Sequence, residues 1–548
     1  MFCLFFHPAR GTHVRYGTRI FDSRPVFLLN IRETETEGSK NRGLGPASIK
    51  TLRAQRSMPP HTMHTGVETF LGFCFEKFLF LQLLTIEKFL SFEYYIFEKF
   101  PQECIAMLKR KISDLIEQHL KSDPGRILLI DGARQVGKTY IVRYVGRKLF
   151  DNFIEINMLE DSVGDRLFEK ASTVDDFYLR VSMVAGDRMK EKENTLIFID
   201  EIQTYPHLLT LLKFLRDDNR FTYIASGSLL GVTLAQTTSI PMGSIRKVRM
   251  FPLDFEEFLY ANGMNAFTIS SLRKKFDARE SLDEAMHEKM LDFFKRYLLV
   301  GGMPDAVNAF LETKNIQAVR EIQREIHEYY AADASKYDKE RKLKIRRIYD
   351  LIPSNMENKK KRVVAQRIEE RKGSTFADYE DEFDYLISAG IALNVRAVST
   401  PVFPLIESSG KNLLKLYLND AGILTSILYG NNIRAILDDE RSINLGSVYE
   451  SVVASELIAH GHNLFYYDNR SKGEVDFLID DYNSLSAVPI EVKSGKDYTV
   501  HSALNTFVKN DDYHVKKAFV LSNTREITTN GKITYLPIYD VMFFGSNP

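Results

Sequence analysis

The stretch "DGARQVGKTY", Asp131 to Tyr140, decides the reading of the fold. It runs Gly132-x-x-x-x-Gly137-Lys138-Thr139, the spacing of a phosphate-binding loop. Gly132 and Gly137 allow the backbone to turn tightly around an anion. The N–H groups of the loop and of the following helix N-terminus then point at phosphate oxygens. In such a loop Lys138 reaches the terminal phosphates of a bound nucleotide and the Thr139 hydroxyl binds Mg2+. The flanking elements come in the order this chemistry needs. "RILLI" (Arg126 to Ile130) is a short apolar run of the kind that forms a buried parallel strand, and "KTYIVRYVGRKL" has helical spacing through Ile141, Val142, Val145 and Leu149. An ordinary strand-to-helix turn is the plainer alternative.

Outward from the loop, "NTLIFIDEIQ" places Leu196 to Ile199 on a strand that ends in Asp200 and Glu201. Asp200 is the candidate to hold the magnesium through water, and Glu201 to position and deprotonate the attacking water. A strand that merely ends in solvated acids would look the same. "FTYIASGS" (Phe221 to Ser228) is another apolar strand; Ser226 or Ser228 either senses the terminal phosphate or caps the next turn. "NFIEIN" (Asn152 to Asn157) supplies a fourth strand. Strands alternating with helical stretches predict an α/β fold with a parallel sheet covered on both faces.

A chain of 548 residues has room for three or four domains. Its 73 basic and 73 acidic side chains cancel, so no global field draws it to nucleic acid and any such contact rests on local patches. The most apolar stretch, Thr69 to Phe92, carries Glu76, Lys77, Glu87 and Lys88, too many charges for a membrane span. Met1 lacks the basic leader and apolar core of a secretory signal. The cysteines are Cys3, Cys74 and Cys104. From Ile105 onward this excludes a disulfide or thiolate metal site, which fits a reducing cytoplasm. Residues 1–106 are rich in Phe and turn-prone from Glu33 to Ser48, and we expect them to be upstream sequence before a true start at Met107; a genuine N-terminal extension is the alternative. There the amphipathic "LKRKISDLIEQHL" begins, apolar at Leu108, Ile112, Leu115, Ile116 and Leu120.

After a nucleotide domain over 107–262, residues 263–335 read as a helical lid, interrupted at "GGMP", where Pro304 ends one helix and suits the start of the next. Residues 336–430 follow as a winged-helix-like module. Its "KERKLKIRRIYDLI" sets Leu343, Ile345, Ile348, Leu351 and Ile352 near one face, with Arg341, Lys342, Lys344, Arg346 and Arg347 mostly elsewhere, and "KKKR" (Lys359 to Arg362) adds basic charge. These patches either neutralise DNA phosphates or form a solvated face. Thr375 and Asp378 predict a cap. The helix "ADYEDEFDYLISAG" carries Asp378, Glu380, Asp381, Glu382 and Asp384, which repel groove phosphates and favour packing or a protein partner over base reading.

Residues 431–548 hold a second candidate site. In "GEVDFLID" and "PIEVKSG" the alternation of a strand puts Glu474 with Asp476 on one face and Glu491 with Lys493 on another. Neighbouring strands would unite Asp476 and Glu491 as magnesium ligands, with Lys493 near a water that attacks a phosphodiester and Glu450, on "GSVYESVVASELIAHG", completing the set. The alternative is a hairpin with charged outward faces. His460 and His462 read as surface residues.

Taken together, "GARQVGKT", "IFIDEIQ", "ASGS" before "FPLDFEEFL" (Phe251 to Leu259), "GGMPDAV", "KLYLNDAGIL", "GEVDFLI" and "PIEVKSG" resemble bacterial and archaeal AAA-type ATPases that carry a C-terminal domain of unknown function with a nuclease-like fold. The resemblance covers about Met107 to the end. It implies a P-loop NTPase sheet with a helical lid, ATP and Mg2+ at Lys138, Thr139 and Asp200, and a PD-(D/E)xK nuclease-like C-terminal α/β domain. It departs at Ser244, where the family often has a basic residue after the glycine, leaving Arg246 or Arg220 as alternatives for a trans-acting arginine. The expected protein is a cytoplasmic ATPase whose nucleotide state drives or times its C-terminal module. Its rivals are an ATP-controlled DNA nuclease and a non-catalytic nucleotide switch or scaffold. Oligomeric state and physiological partner stay open.

Overall fold

The computed structural model describes residues 18–21, 24–27, 108–190, 194–228, 243–334, 342–358, 361–437, 445–469, 471–495 and 499–545. Within the unit of residues 1–101 it describes one antiparallel hairpin, β1 (Thr18–Phe21) with β2 (Arg24–Phe27). The other expectations for residues 1–106, and the start at Met107, lie outside the described residues.

The nucleotide region is a five-stranded, all-parallel sheet of β3 (Ile127–Asp131), β4 (Asn152–Asn157), β5 (Thr195–Asp200), β6 (Thr222–Gly227) and β7 (Ile245–Arg249), in the order β4-β5-β6-β3-β7. Strands β3, β5 and β6 are buried along their whole length because helices cover both faces, and this is why they read as unbroken apolar runs. Since β6 lies between β3 and β5, the carboxyl ends of all three meet at one edge, where ligands of open α/β sheets bind. The helix after β3, Lys138–Leu149, packs Ile141, Val142 and Val145 into the core. Helix Lys111–Ser122 packs beside it through Ile112, Ile116 and Leu120.

Helices Ala266–Ala278, Glu284–Val300, Pro304–Thr313 and Ile316–Ala334 form the helical segment expected as a lid, and Pro304 stands at the first turn of its helix. The next helix, Lys342–Glu357, buries Ile345, Ile348 and Ile352, whereas Leu343 is 63% exposed and lies off the apolar face assigned to it.

The second sheet is mixed and eight-stranded, β14-β15-β13-β12-β11-β10-β8-β9. It joins β8 (Ala392–Val398) and β9 (Ser409–Leu418) to β10 (Phe465–Asn469), β11 (Gly473–Asp481), β12 (Ser486–Val492), β13 (Ala518–Ser522), β14 (Thr528–Asn530) and β15 (Ile533–Pro537). The hairpin β8–β9, expected to belong to a separate winged module, is bonded through β8 to β10 in parallel register, so strands from both expected modules share this sheet. The expected cap is present: Thr375 N donates to Asp378 Oδ2 at 2.7 Å, at the start of a 3-10 turn that leads into helix Glu380–Ser388. One apolar core runs from Leu108 through the lid and helix Leu445–Ala459 to Phe544.

Candidate functional site

Behind the loop, the chain leaves β3 at Asp131 and turns at Gly132, whose φ is +152°. A Cβ there would stand 2.3 Å from the Met250 carbonyl oxygen, so only glycine fits. Gly137, at φ +93°, opens helix Lys138–Leu149 without a side-chain cap, leaving its first N–H groups available to an anion.

The side chains from the three strand ends meet here. Lys138 is 5% exposed, and its Nζ donates to Gly132 O (3.0 Å), Ala133 O (2.8 Å) and Ser228 Oγ (3.0 Å). Burial draws its ammonium below the ordinary lysine value, against the opposing pull of Glu201 and Asp200. Asp200 Oδ2 accepts from Thr139 Oγ1 at 2.7 Å, while Oδ1 accepts from Glu201 N at 3.0 Å and from Ser226 Oγ. Ser228 Oγ also donates to Glu201 Oε1 at 3.4 Å, and Gln203 Nε2 donates to Glu201 Oε2. Of the two serines considered, Ser226 therefore faces Asp200, and Ser228 stands between Lys138 and Glu201.

Lys138, Thr139, Glu201 and Ser228 line an open cleft of about 590 Å³, within the range of small-molecule sites. Leu108, Met250 and Pro304 form an apolar flank to Lys138, Thr139 and Glu201. That volume and polarity fit a nucleoside triphosphate, and the hydroxyl–carboxylate pair of Thr139 and Asp200 offers the hard oxygen donors magnesium prefers. Sequence reading missed the apolar flank because its members are more than 190 residues apart at the extremes; a Cβ placed at Gly137 would lie within 4 Å of both Pro304 and Met250.

Helix Glu380–Ser388 runs up to the loop. Gly390, at φ +73°, lies so close that a Cβ would stand 3.2 Å from Ala133 N. Arg249 donates to Asp131 Oδ2 at 2.9 Å and to the carbonyls of Ile387 (3.3 Å) and Ser388 (2.9 Å). This acidic helix thus packs against the loop. The arginines considered for a trans role stand elsewhere. Arg246 is in register with Leu128, at the amino end of β3 and roughly 10 Å from its carboxyl end. Arg220, before β6, pairs with Asp175 and Asp218.

The second cluster gathers where helix Leu445–Ala459 crosses β11 and β12. Val492 N donates to Asp476 Oδ2 at 2.9 Å, and Lys493 Nζ to Glu491 Oε1 at 2.7 Å. Glu491 Oε2 is buried without a partner. Burial, and then the neighbouring Asp476, push the Glu491 carboxyl up to about 8 and raise Glu450 as well. Two further lysines enter: Lys361 pairs with Glu450, and the fully buried Lys415 with Glu474. Among the described residues no group of three or more His, Cys, Asp or Glu side chains is arranged to hold a metal ion. The "KKKR" run, read as either a DNA patch or a solvated face, turns inward at its described residues, with Lys361 on Glu450 and Arg362 on Asp468 at 2.7 Å. In the preceding helix Lys344 lies 3.7 Å from Glu369, and Arg346 3.6 Å from Asp350. His460, expected at the surface, is wedged beside Asp254 (3.4 Å) and Glu456 (3.8 Å), its side chain 9% exposed.

Comparison with known proteins fits this geometry. Residues 124–259 match the AAA domain family, residues 291–433 a domain of unknown function (DUF8612) and residues 445–541 another (DUF4143). The chain therefore carries an AAA-type ATP-binding domain on a mixed α/β architecture. No curated protein matches. Among solved structures, the Walker-type ATPase PABY2304 of Pyrococcus abyssi is similar at 13% identity and TM-score 0.37, over 59% of this chain and 96% of that one. PCH-2 of C. elegans is similar at 16% identity and TM-score 0.21, over 38% and 65%. The Pif1 helicase of Candida albicans is similar at 17% identity and TM-score 0.20, over 28% and 43%. Among the described residues no helix is long and apolar enough to cross a membrane.

Proposed function

We propose that the AAA domain hydrolyses ATP with Mg2+ in the cleft above β3, β5 and β6, and that the nucleotide state acts on the segments beyond it. The observation that carries this reading is the meeting of Lys138, Thr139, Asp200 and Glu201, tied by the 2.7 Å Thr139–Asp200 bond. Lys138 would exchange its carbonyl and Ser228 partners for phosphate oxygens. Thr139 and Asp200 would hold magnesium, which supplies charge neutralisation between the terminal phosphates. Glu201 orients and deprotonates the water, and Ser228, between Lys138 and Glu201, senses the terminal phosphate. Gly390 and Arg249 offer the contact through which a filled loop presses on helix Glu380–Ser388.

Glu201→Gln tests it: turnover should fall roughly 10²- to 10⁴-fold with ATP binding kept. Binding without any turnover in the wild type would leave only a nucleotide switch. A cleaving role for Glu450, Asp476, Glu491 and Lys493 has one observation in its favour, the orphaned Glu491 Oε2 beside Asp476. Magnesium-dependent plasmid nicking that vanishes in Asp476→Ala is its test, and intact plasmid removes it.

A further inference from the structure

Besides Lys138, the cleft contains basic groups that the loop motif does not require. Three arginines line it: Arg110, Arg134 and Arg143. Arg110 is consumed by structure, donating to Glu257 (3.0 Å), Val136 O (2.9 Å) and Phe251 O (2.6 Å). Arg143 is held in a two-point pair with Glu155 at 2.6 and 2.5 Å. Arg134 differs. It sits inside the phosphate loop, and the partners of its guanidinium come from a single lid helix, Ile316–Ala334. Nη1 donates to Tyr329 Oη at 2.5 Å, and Nε lies 3.1 Å from Asp333 Oδ2. The Arg134 carbonyl accepts from Tyr330 Oη at 2.7 Å, so the loop backbone is pinned at the residue whose side chain spans the gap. The Arg134 side chain is 21% exposed and faces the same cleft as Lys138, Glu201 and Ser228.

We infer that Arg134 is a second phosphate-binding cation, acting in cis, which leaves Asp333 and Tyr329 for the terminal phosphate of a bound triphosphate. The inference rests on the ATP-binding reading above. Chemistry favours the exchange. A guanidinium presents a planar fork that matches phosphate oxygens two at a time, and a doubly charged terminal phosphate outbids one carboxylate and one phenol. A diphosphate ends short of that position and leaves the lid pair intact. Arg134 would thus distinguish ATP from ADP and convert that difference into a freed or tethered lid helix. The field at its position already favours a cation: despite burial, Asp333, Tyr329 and Glu201 hold the guanidinium above the ordinary arginine value.

The test measures affinities for fluorescent ATP and ADP analogues with Mg2+ on the full chain carrying Glu201→Gln, so that hydrolysis does not blur the comparison. This parent should prefer ATP by about tenfold or more, the scale of one charge-assisted contact. Adding Arg134→Ala should bring the preference to near unity with ADP affinity unchanged, and Arg134→Lys should keep part of it. Asp333→Asn cuts the same lid tie yet leaves Arg134 in place, and should preserve or increase the ATP preference. The inference is overturned if Arg134→Ala keeps the preference, if it weakens ADP as much as ATP, or if Asp333→Asn reproduces its loss, since the residue would then only brace the lid. A parent that binds both nucleotides equally also overturns it and leaves ATP binding standing. A parent that binds neither defeats the ATP-binding reading itself. Should Arg134→Ala fail to fold, Arg134→Lys and Asp333→Asn carry the decision.

Discussion

Lys138 and Lys361 are both lysines set among acids, and their partners separate them. Lys138 rests on two carbonyls and a hydroxyl, all neutral acceptors, while Asp200 and Glu201 nearby are bonded to hydroxyl, amide and backbone donors. Lys361 is paired with the Glu450 carboxylate, and the same cluster pairs Lys415 with Glu474 and Lys493 with Glu491. The first site keeps an ammonium whose neutral partners are easily traded for phosphate oxygen. The second pairs three of its four acids with lysines and leaves Asp476 on a backbone amide, so a cation that binds Glu450, Glu474 or the Oε1 of Glu491 must displace a lysine. Two clusters of the same residue types therefore differ in readiness for a ligand.

The strongest way to break the contrast is Lys138→Ala. Loss of the Lys138 ammonium should weaken nucleotide binding by roughly 2–5 kcal/mol, tens- to thousands-fold in affinity, with the fold retained. Titration calorimetry that finds Mg-ATP affinity unchanged would erase the distinction. Next in size, Lys361→Met strands Glu450 in a buried place and should cost about 3–5 kcal/mol in stability, most of it recovered when Glu450→Gln is added. Denaturant melts in which the single variant equals wild type would mean the pair is solvated and the second site not closed after all. A smaller effect is expected at the contact between the regions: Gly390→Val forces a side chain against Ala133 N and should cost about 1–2 kcal/mol in nucleotide affinity, near tenfold. A variant that binds like wild type would show the loop insensitive to its neighbour.

The smallest effect is in pH. His460 Nδ1 lies 3.0 Å from the Phe544 carbonyl, an acceptor only, so it carries a proton, and Nε2 faces Asp254 and Glu456. Burial lowers the imidazole value, but Asp254 and Glu456 outweigh it and raise it above 6.5; burial also raises Glu456 to about 7. The folded state holds both protons more tightly than the unfolded chain. The His460 contribution is full below pH 6.5 and is lost as pH climbs through the raised folded value, and Glu456 loses its share as pH rises from 4.5 toward 7. Melting temperature should fall by a few degrees between pH 5.5 and 8.5, about 1 kcal/mol, and His460→Gln should flatten the slope. A profile that rises over that range would reverse the assignment.

What could be read from sequence was local. Strand β3, the loop and helix Lys138–Leu149 announce themselves within two dozen residues, and β4 and helix Lys138–Leu149 have the bounds their patterns implied. The joining of β8 to β10 was hidden because some seventy residues separate them, and no periodicity encodes a partner strand. The basic run at Lys361 and Arg362 misled for the same reason: its counter-charges, Glu450 and Asp468, are about ninety and a hundred residues away, and a paired cation looks in sequence like a solvated one. Of the two serines in "ASGS", only geometry shows that Ser226 points to Asp200 and Ser228 to Lys138.

The grip of Arg249 has a consequence for how such a chain can be inherited. Its guanidinium, shared between Asp131 behind the phosphate loop and the carbonyls of Ile387 and Ser388, ties the nucleotide region to a segment more than 120 residues further on. A gene fragment stopping after Ala261 would strip these carbonyls away and bare the apolar side of helix Phe255–Ala261, so recombination should transmit these segments as one cassette and seldom as separable parts.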